Sequence, residues 1–204
     1  MLASVVASGP GRTVRRGDPA SRVTDRASAL AIAGGITLVE WIARRSLRSR
    51  ASAWLVAYAL IGTLGALAPA PLCRRTGGRR TLPIGHLLVA GLGYPVLRSL
   101  AGGRSRRPPD PLLAEALALS VVAVGEELSW ARHVEPRAGG ATAMLFALKH
   151  VAIDGNARRV PALVAFWWGL AGIRSRSSIT AVVLHVLLNL GGVALGHLRG
   201  RDQF

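Results

Sequence analysis

Residues 178–198 read SITAVVLHVLLNLGGVALGHL, an apolar run with no acidic, lysine or arginine side chain, which carries His185 and Asn189 near its middle. About 20 mostly apolar residues are needed to cross the hydrocarbon of a bilayer, and this run meets that length. Six further stretches of the same character precede it, at residues 27–43, 51–73, 81–100, 111–131, 138–153 and 160–173. The fifth and sixth are short and read as tilted or partly re-entrant. An open sheet cannot satisfy its backbone polar groups in lipid, so the expected fold is all-α, a polytopic transmembrane bundle of about seven spans. Residues 1–26 read as a flexible basic tail, broken by Gly9, Pro10 and Gly11 and followed by Arg12, Arg15 and Arg16. The tail lacks the apolar core and small-residue cleavage site of a signal peptide. Residues 27–110 then form an N-terminal group of spans, and residues 111–197 a core that carries the polar residues discussed below.

Composition agrees with this reading. Half of the 204 residues are hydrophobic and 18% are charged, yet the formal net charge is +16. Disorder is excluded by the quantity of apolar side chain, and a disulfide scaffold by the single cysteine, Cys73. A soluble nucleic-acid binder would gather its basic residues on one face, whereas here they lie in short runs between apolar stretches. The bilayer is therefore the expected partner and nucleic acid is not. The arginine runs suit anionic headgroups. They are spread almost evenly over the two sides of the bundle, so the positive-inside rule assigns no orientation. Lys149 is the only lysine.

Ionisable residues inside spans are costly and usually mark function. The informative polar residues are Glu126 and Glu127 late in the fourth span, His150 in the fifth, and His185 with Asn189 in the seventh. His185 and Asn189 are four apart and share a helix face, as do Phe146 and His150. Glu126 and Glu127 point about 100° apart, so only one can face a shared site squarely. At 1.5 Å per residue, Glu126 lies about 9 Å, His185 about 10 Å and His150 about 12–18 Å from the same side of the membrane. Three helices thus bring polar residues to similar depth, as one site would require. A carboxylate with an imidazole can activate a water, and a second histidine with an asparagine amide can stabilise an oxyanion. Glu126, His150 and His185 could equally hold a divalent metal such as zinc, with an open position for water. Both arrangements lead to hydrolysis of an amide bond.

Order and spacing here resemble the CPBP intramembrane proteases, the family of type II CAAX prenyl proteases and of bacteriocin-processing, Abi-like relatives. That family carries Glu-Glu-x-x-x-Arg, then Phe-x-x-x-His, then His-x-x-x-Asn on successive helices. This chain has Glu126-Glu127 with Arg132 after four intervening residues, then Phe146 to His150, then His185 to Asn189. The second and third motifs match fully, and the first has one residue too many. The resemblance covers residues 111–197. It implies an endopeptidase in which Glu126 and His150 activate water, His185 and Asn189 hold the oxyanion, and Glu127 is a supporting residue tied to Arg132. It also implies a membrane-associated peptide or protein as substrate, and leaves metal dependence open. The arginine-rich composition points to a bacterial cell membrane.

Two other functions fit parts of the pattern. A non-catalytic scaffold or immunity protein would keep the fold, and the displaced Arg132 favours it. A proton-coupled permease would use buried Glu and His, but the chain shows no internal repeat and its polar residues gather at one place. Phe146 reads as packing. Glu40 and Glu115 read as partners of nearby arginines, His86 and Arg98 as snorkelling groups, and Trp167 and Trp168 as an aromatic belt. Asp154, four residues after His150, reads as a partner that orients it.

Overall fold

A computed structural model of the chain describes residues 19–69, 83–102 and 107–202. Its regular elements are all helical. They are α1 (Pro19–Ser46), α2 (Arg50–Leu67), α3 (Ile84–Leu88), α4 (Tyr94–Ala101), α5 (Leu112–Glu126), α6 (Glu135–Ala138), α7 (Thr142–Asp154), α8 (Val160–Arg174) and α9 (Ser178–Arg199). A π-helical turn, Val89–Gly93, joins α3 to α4, and a longer one, Glu127–Val134, joins α5 to α6. Four helices are long and apolar enough to cross a membrane: Val23–Ser46, Arg50–Leu67, Ile84–Ala101 and Ser178–Arg199. Helices α7 and α8 have 13 and 15 residues, about 20 and 23 Å at 1.5 Å per residue, shorter than a hydrocarbon core of about 30 Å. Large apolar side chains such as Leu60, Leu64, Leu92 and Leu187 stay exposed on these helices, the kind of surface that lipid covers.

One boundary differs from the sequence reading. Helix α1 starts at Pro19, inside the stretch expected to be a flexible tail. No glycine follows Gly17 there, alanine and arginine favour helix, and proline suits a first turn, where its missing N–H is not needed. The remainder of the expected tail and Cys73 lie outside the described residues.

Close helix approach positions the core. A methyl group added at Gly65 would sit 2.5 Å from the carbonyl oxygen of Leu128, and one at Gly125 would sit 2.9 Å from that of Tyr58. Gly62 faces Gly125 at the same crossing. Small residues let two backbones meet in this way where the hydrophobic effect offers no drive between helices. The contact brings Tyr58 of α2 beside Glu126 of α5. At the far end of the same helices, Arg50 donates to Asp202 at 2.8 and 2.7 Å and also pairs with Glu115, which His197 meets at 3.1 Å. Glu115 and Glu40 thus both have the arginine partners expected of them, Arg50 and Arg44. Helix α7 closes on Gly155, whose φ of 70° lets its N–H cap the Val151 carbonyl.

Because the atoms facing Gly65 are backbone atoms of Leu128 and Ser129, Gly65→Ala must separate α2 from the π-helical continuation of α5. We expect it to cost about 1–3 kcal/mol, as overpacking of a tight interface does, read as a lowered unfolding midpoint of the detergent-solubilised protein. Gly34→Ala, whose added methyl meets nothing within 4 Å, should not lower the midpoint and should raise it slightly, because alanine favours the helix interior over glycine.

Candidate functional site

The site grows from two adjacent glutamates at the point where α5 passes into its π-helical continuation. Glu126 and Glu127 are both buried. On α9, His185 fits between them, its Nε2 3.3 Å from Glu126 and its Nδ1 3.2 Å from Glu127. A neutral imidazole has one N–H and can donate to only one of two carboxylates; the imidazolium can donate to both. Edge contact with Phe166, ring centroids 4.8 Å apart, fixes the ring plane. The pairs diverge from there. Glu127 receives a two-pronged hydrogen bond from Arg174 of α8, at 2.7 and 2.9 Å, and Arg174 also holds Glu135. Glu126 meets Lys149 of α7, which donates at 2.7 Å to the Tyr58 hydroxyl and lies 3.4 Å from Glu40. The Tyr58 hydroxyl lies 2.5 Å from Glu40 and 3.1 Å from Glu126. A buried charge is tolerated only when paired and hydrogen-bonded, and every member of this series meets at least one opposite charge.

The sequence-selected residues do come together. Glu126, His150, His185 and Asn189 line one cavity of about 50 Å³, room for a few waters at roughly 10–15 Å³ of probe-occupied volume each. His150 is the least buried of them. Its Nε2 lies 3.9 Å from Glu126 and its Nδ1 3.6 Å from Asp154, ion-pair separations longer than a hydrogen bond. Asp154 is itself held by Arg44 at 3.1 Å. The amide of Asn189 donates to the Leu119 carbonyl at 3.2 Å. Phe146 packs, as expected, stacked on Trp167 at 4.3 Å and edge-on to His150 at 4.9 Å. Trp168 is exposed and stacks on His86, but Trp167 is fully buried and belongs to the core, not to a belt.

Arg132 is the exception. It makes no hydrogen bond or ion pair with either glutamate and instead donates to the Ala66 carbonyl at 3.2 Å. Its neighbour His133 contacts the Gly65 carbonyl at 2.7 Å. The last carbonyls of a helix have no partner inside it, and these two residues satisfy the end of α2. The motif's extra residue lies in the π segment, where the Glu135 N–H reaches back five residues to Trp130. Such a turn absorbs one additional residue. Arg174 supplies the guanidinium that Arg132 was expected to bring. Four functional candidates were thus missed in the sequence reading: Arg174, Lys149, Tyr58 and Glu40. The isolated lysine within an apolar span was a visible signal for Lys149. For Arg174, at the end of α8, there was none.

The trio of Glu126, His150 and His185 does not fit a metal ion. One Glu126 oxygen faces Lys149 and Tyr58, the other faces His185, and both ring nitrogens of His185 are engaged. Among the described residues, no three His, Cys, Asp or Glu side chains form a metal-binding group.

Removing one partner of a buried pair strands the other charge, at a cost of about 3–5 kcal/mol. We therefore expect Arg174→Met to lower stability by that order. Arg132→Met should cost under about 1 kcal/mol, as for a lost helix-end contact. Denaturant unfolding of the two variants, compared side by side, checks which arginine serves Glu127.

The chain matches no known family model, no curated protein and no solved structure.

Proposed function

We propose that the chain is a seven-span membrane protein of the CPBP type and an intramembrane endopeptidase. The observation that carries the reading is the convergence of Glu126, His150, His185 and Asn189, from three separate helices, on one small cavity. In this reading α5 with its π-helical continuation makes the fourth span, and the short α7 and α8 make the fifth and sixth. A water held between Glu126 and the Nε2 of His150 is the nucleophile. The proton passes to His150, whose Nδ1 faces Asp154, in the manner of a general base with an orienting carboxylate. As the carbonyl carbon becomes tetrahedral, the Asn189 amide N–H not taken by the Leu119 carbonyl donates to the developing oxyanion, and the positive charge of His185, whose two N–H groups stay on Glu126 and Glu127, stabilises it through space. Glu127 and Arg174 keep His185 in place. The substrate is a peptide or protein associated with the membrane, cut near the bilayer surface of a bacterial cell membrane. No metal step is included, because the donor set does not suit one.

A second reading has its own support. Lys149 is held on Glu126, and a carboxylate neutralised by an ammonium is a weak base. A non-catalytic scaffold that keeps the fold would need only the ion chain, not a free carboxylate.

A mass-spectrometric census of new protein termini in membranes separates the two. With Glu126→Gln and wild type at matched expression, the protease reading expects a set of termini to vanish in the variant, and His150→Gln to remove the same set. Identical profiles, with any cellular effect of the protein retained in both variants, would leave only the scaffold.

A further inference from the structure

The cavity that holds Glu126 and His185 extends toward another group of residues, where its lining includes Arg44, Tyr94, Arg98, Asp154 and Arg159. All but Tyr94 sit at helix ends. Arg44 lies in the last turn of α1 and Arg98 in that of α4, while Arg159 immediately precedes α8. The charges there are unequally paired. Arg44 is held by Glu40 at 3.3 Å and by Asp154 at 3.1 Å, and Asp154 also faces His150. Arg98 donates to the Tyr94 hydroxyl. Arg159, only 7% exposed, makes no side-chain hydrogen bond or ion pair with any described residue, and its Nε is buried without a partner. Burial and the like charge of Arg98 both lower its pKa, and the more distant Asp154, Tyr94 and Asp202 only partly offset them.

A buried guanidinium with no hydrogen-bonded carboxylate is costly. It persists where something else supplies the anion. We propose that Arg98 and Arg159 form a site for a phosphate group at the mouth of the central cavity. The two guanidinium groups present planar forks of N–H donors, the geometry that phosphate oxygens accept two at a time. A phosphate has charge enough to meet Arg159 and still accept from Arg98, which lines the same part of the cavity. The helix-end position brings the site to headgroup depth, so the phosphate of an anionic phospholipid reaches it from the bilayer, and a free phosphate ion reaches it from solution. The site does not depend on the proteolytic reading, because none of its donors takes part in the proposed reaction.

Purified protein in dodecyl maltoside, free of phosphate, is melted with inorganic phosphate, with phosphatidylglycerol, and with sodium chloride at matched ionic strength. A ligand that binds only the folded state raises the midpoint. We expect phosphatidylglycerol or phosphate to raise the wild-type midpoint by several degrees over the salt control, and the rise to be lost in Arg159→Gln. A response to inorganic phosphate identifies a free-ion site; a response to phosphatidylglycerol alone identifies a headgroup site. Without ligand, Arg159→Gln should melt at or above the wild type, because it removes an uncompensated charge. Should that variant not fold, Arg98→Gln carries the same expected loss. A wild type that responds to neither ligand, or variants that respond as the wild type does, would overturn the proposal.

Discussion

Everything in the middle of this all-helical fold follows from the cost of placing charge in a low-dielectric interior. Glu40, Lys149, Glu126, His185, Glu127, Arg174 and Glu135 form an alternating chain that runs through α1, α7, α5, α9 and α8 into the short helix α6. No member is tolerable alone, since an isolated buried ion must be neutralised or lost. The chain therefore fixes how its helices sit against one another, and shape complementarity completes the arrangement. The glycine crossing of α2 on α5 brings the Tyr58 hydroxyl into range, and the Phe146–Trp167 stack closes the opposite wall.

The ion chain also frames the chemistry. The proposed protease and the proposed scaffold share every helix and differ in one relation, that between Lys149 and Glu126. With Lys149 held on Glu126, the carboxylate is a structural anion. If Lys149 moves to Glu40, already within 3.4 Å, Glu126 is released to act on water. His150, the most exposed of the four cavity residues and 3.6 Å from Asp154, is the group best placed to receive a proton in either case.

The helices, and most of the polar residues that meet in the middle, were legible in the sequence because each rests on local information. Long apolar runs define spans, and a spacing of four in Phe146–His150 and His185–Asn189 defines helix faces. The depth of Glu126, His150 and His185 along their helices followed from rise per residue alone. What was not legible depends on which helix neighbours which. Arg132 lay closest in sequence to the glutamates, yet it serves the end of α2, while Arg174, 47 residues from Glu127, makes the pair. The π-helical turn is likewise a compromise between helix register and tertiary contact, and the extra residue in the first motif was its only trace. Trp167 and Trp168 are adjacent, and only the packing of α8 decides that one is core and the other surface.

The most direct test of this account is a double-mutant cycle between Lys149 and Glu126, using Lys149→Met, Glu126→Gln and the pair, with unfolding free energy as the readout. Charges that compensate each other in a buried pair are coupled, and contacting residues typically show interaction energies of about 0.5–3 kcal/mol. The account predicts coupling near the upper end, with the double variant more stable than Lys149→Met alone. Additive effects, with no coupling, would contradict it, because the ion chain would then not be what holds the buried centre together.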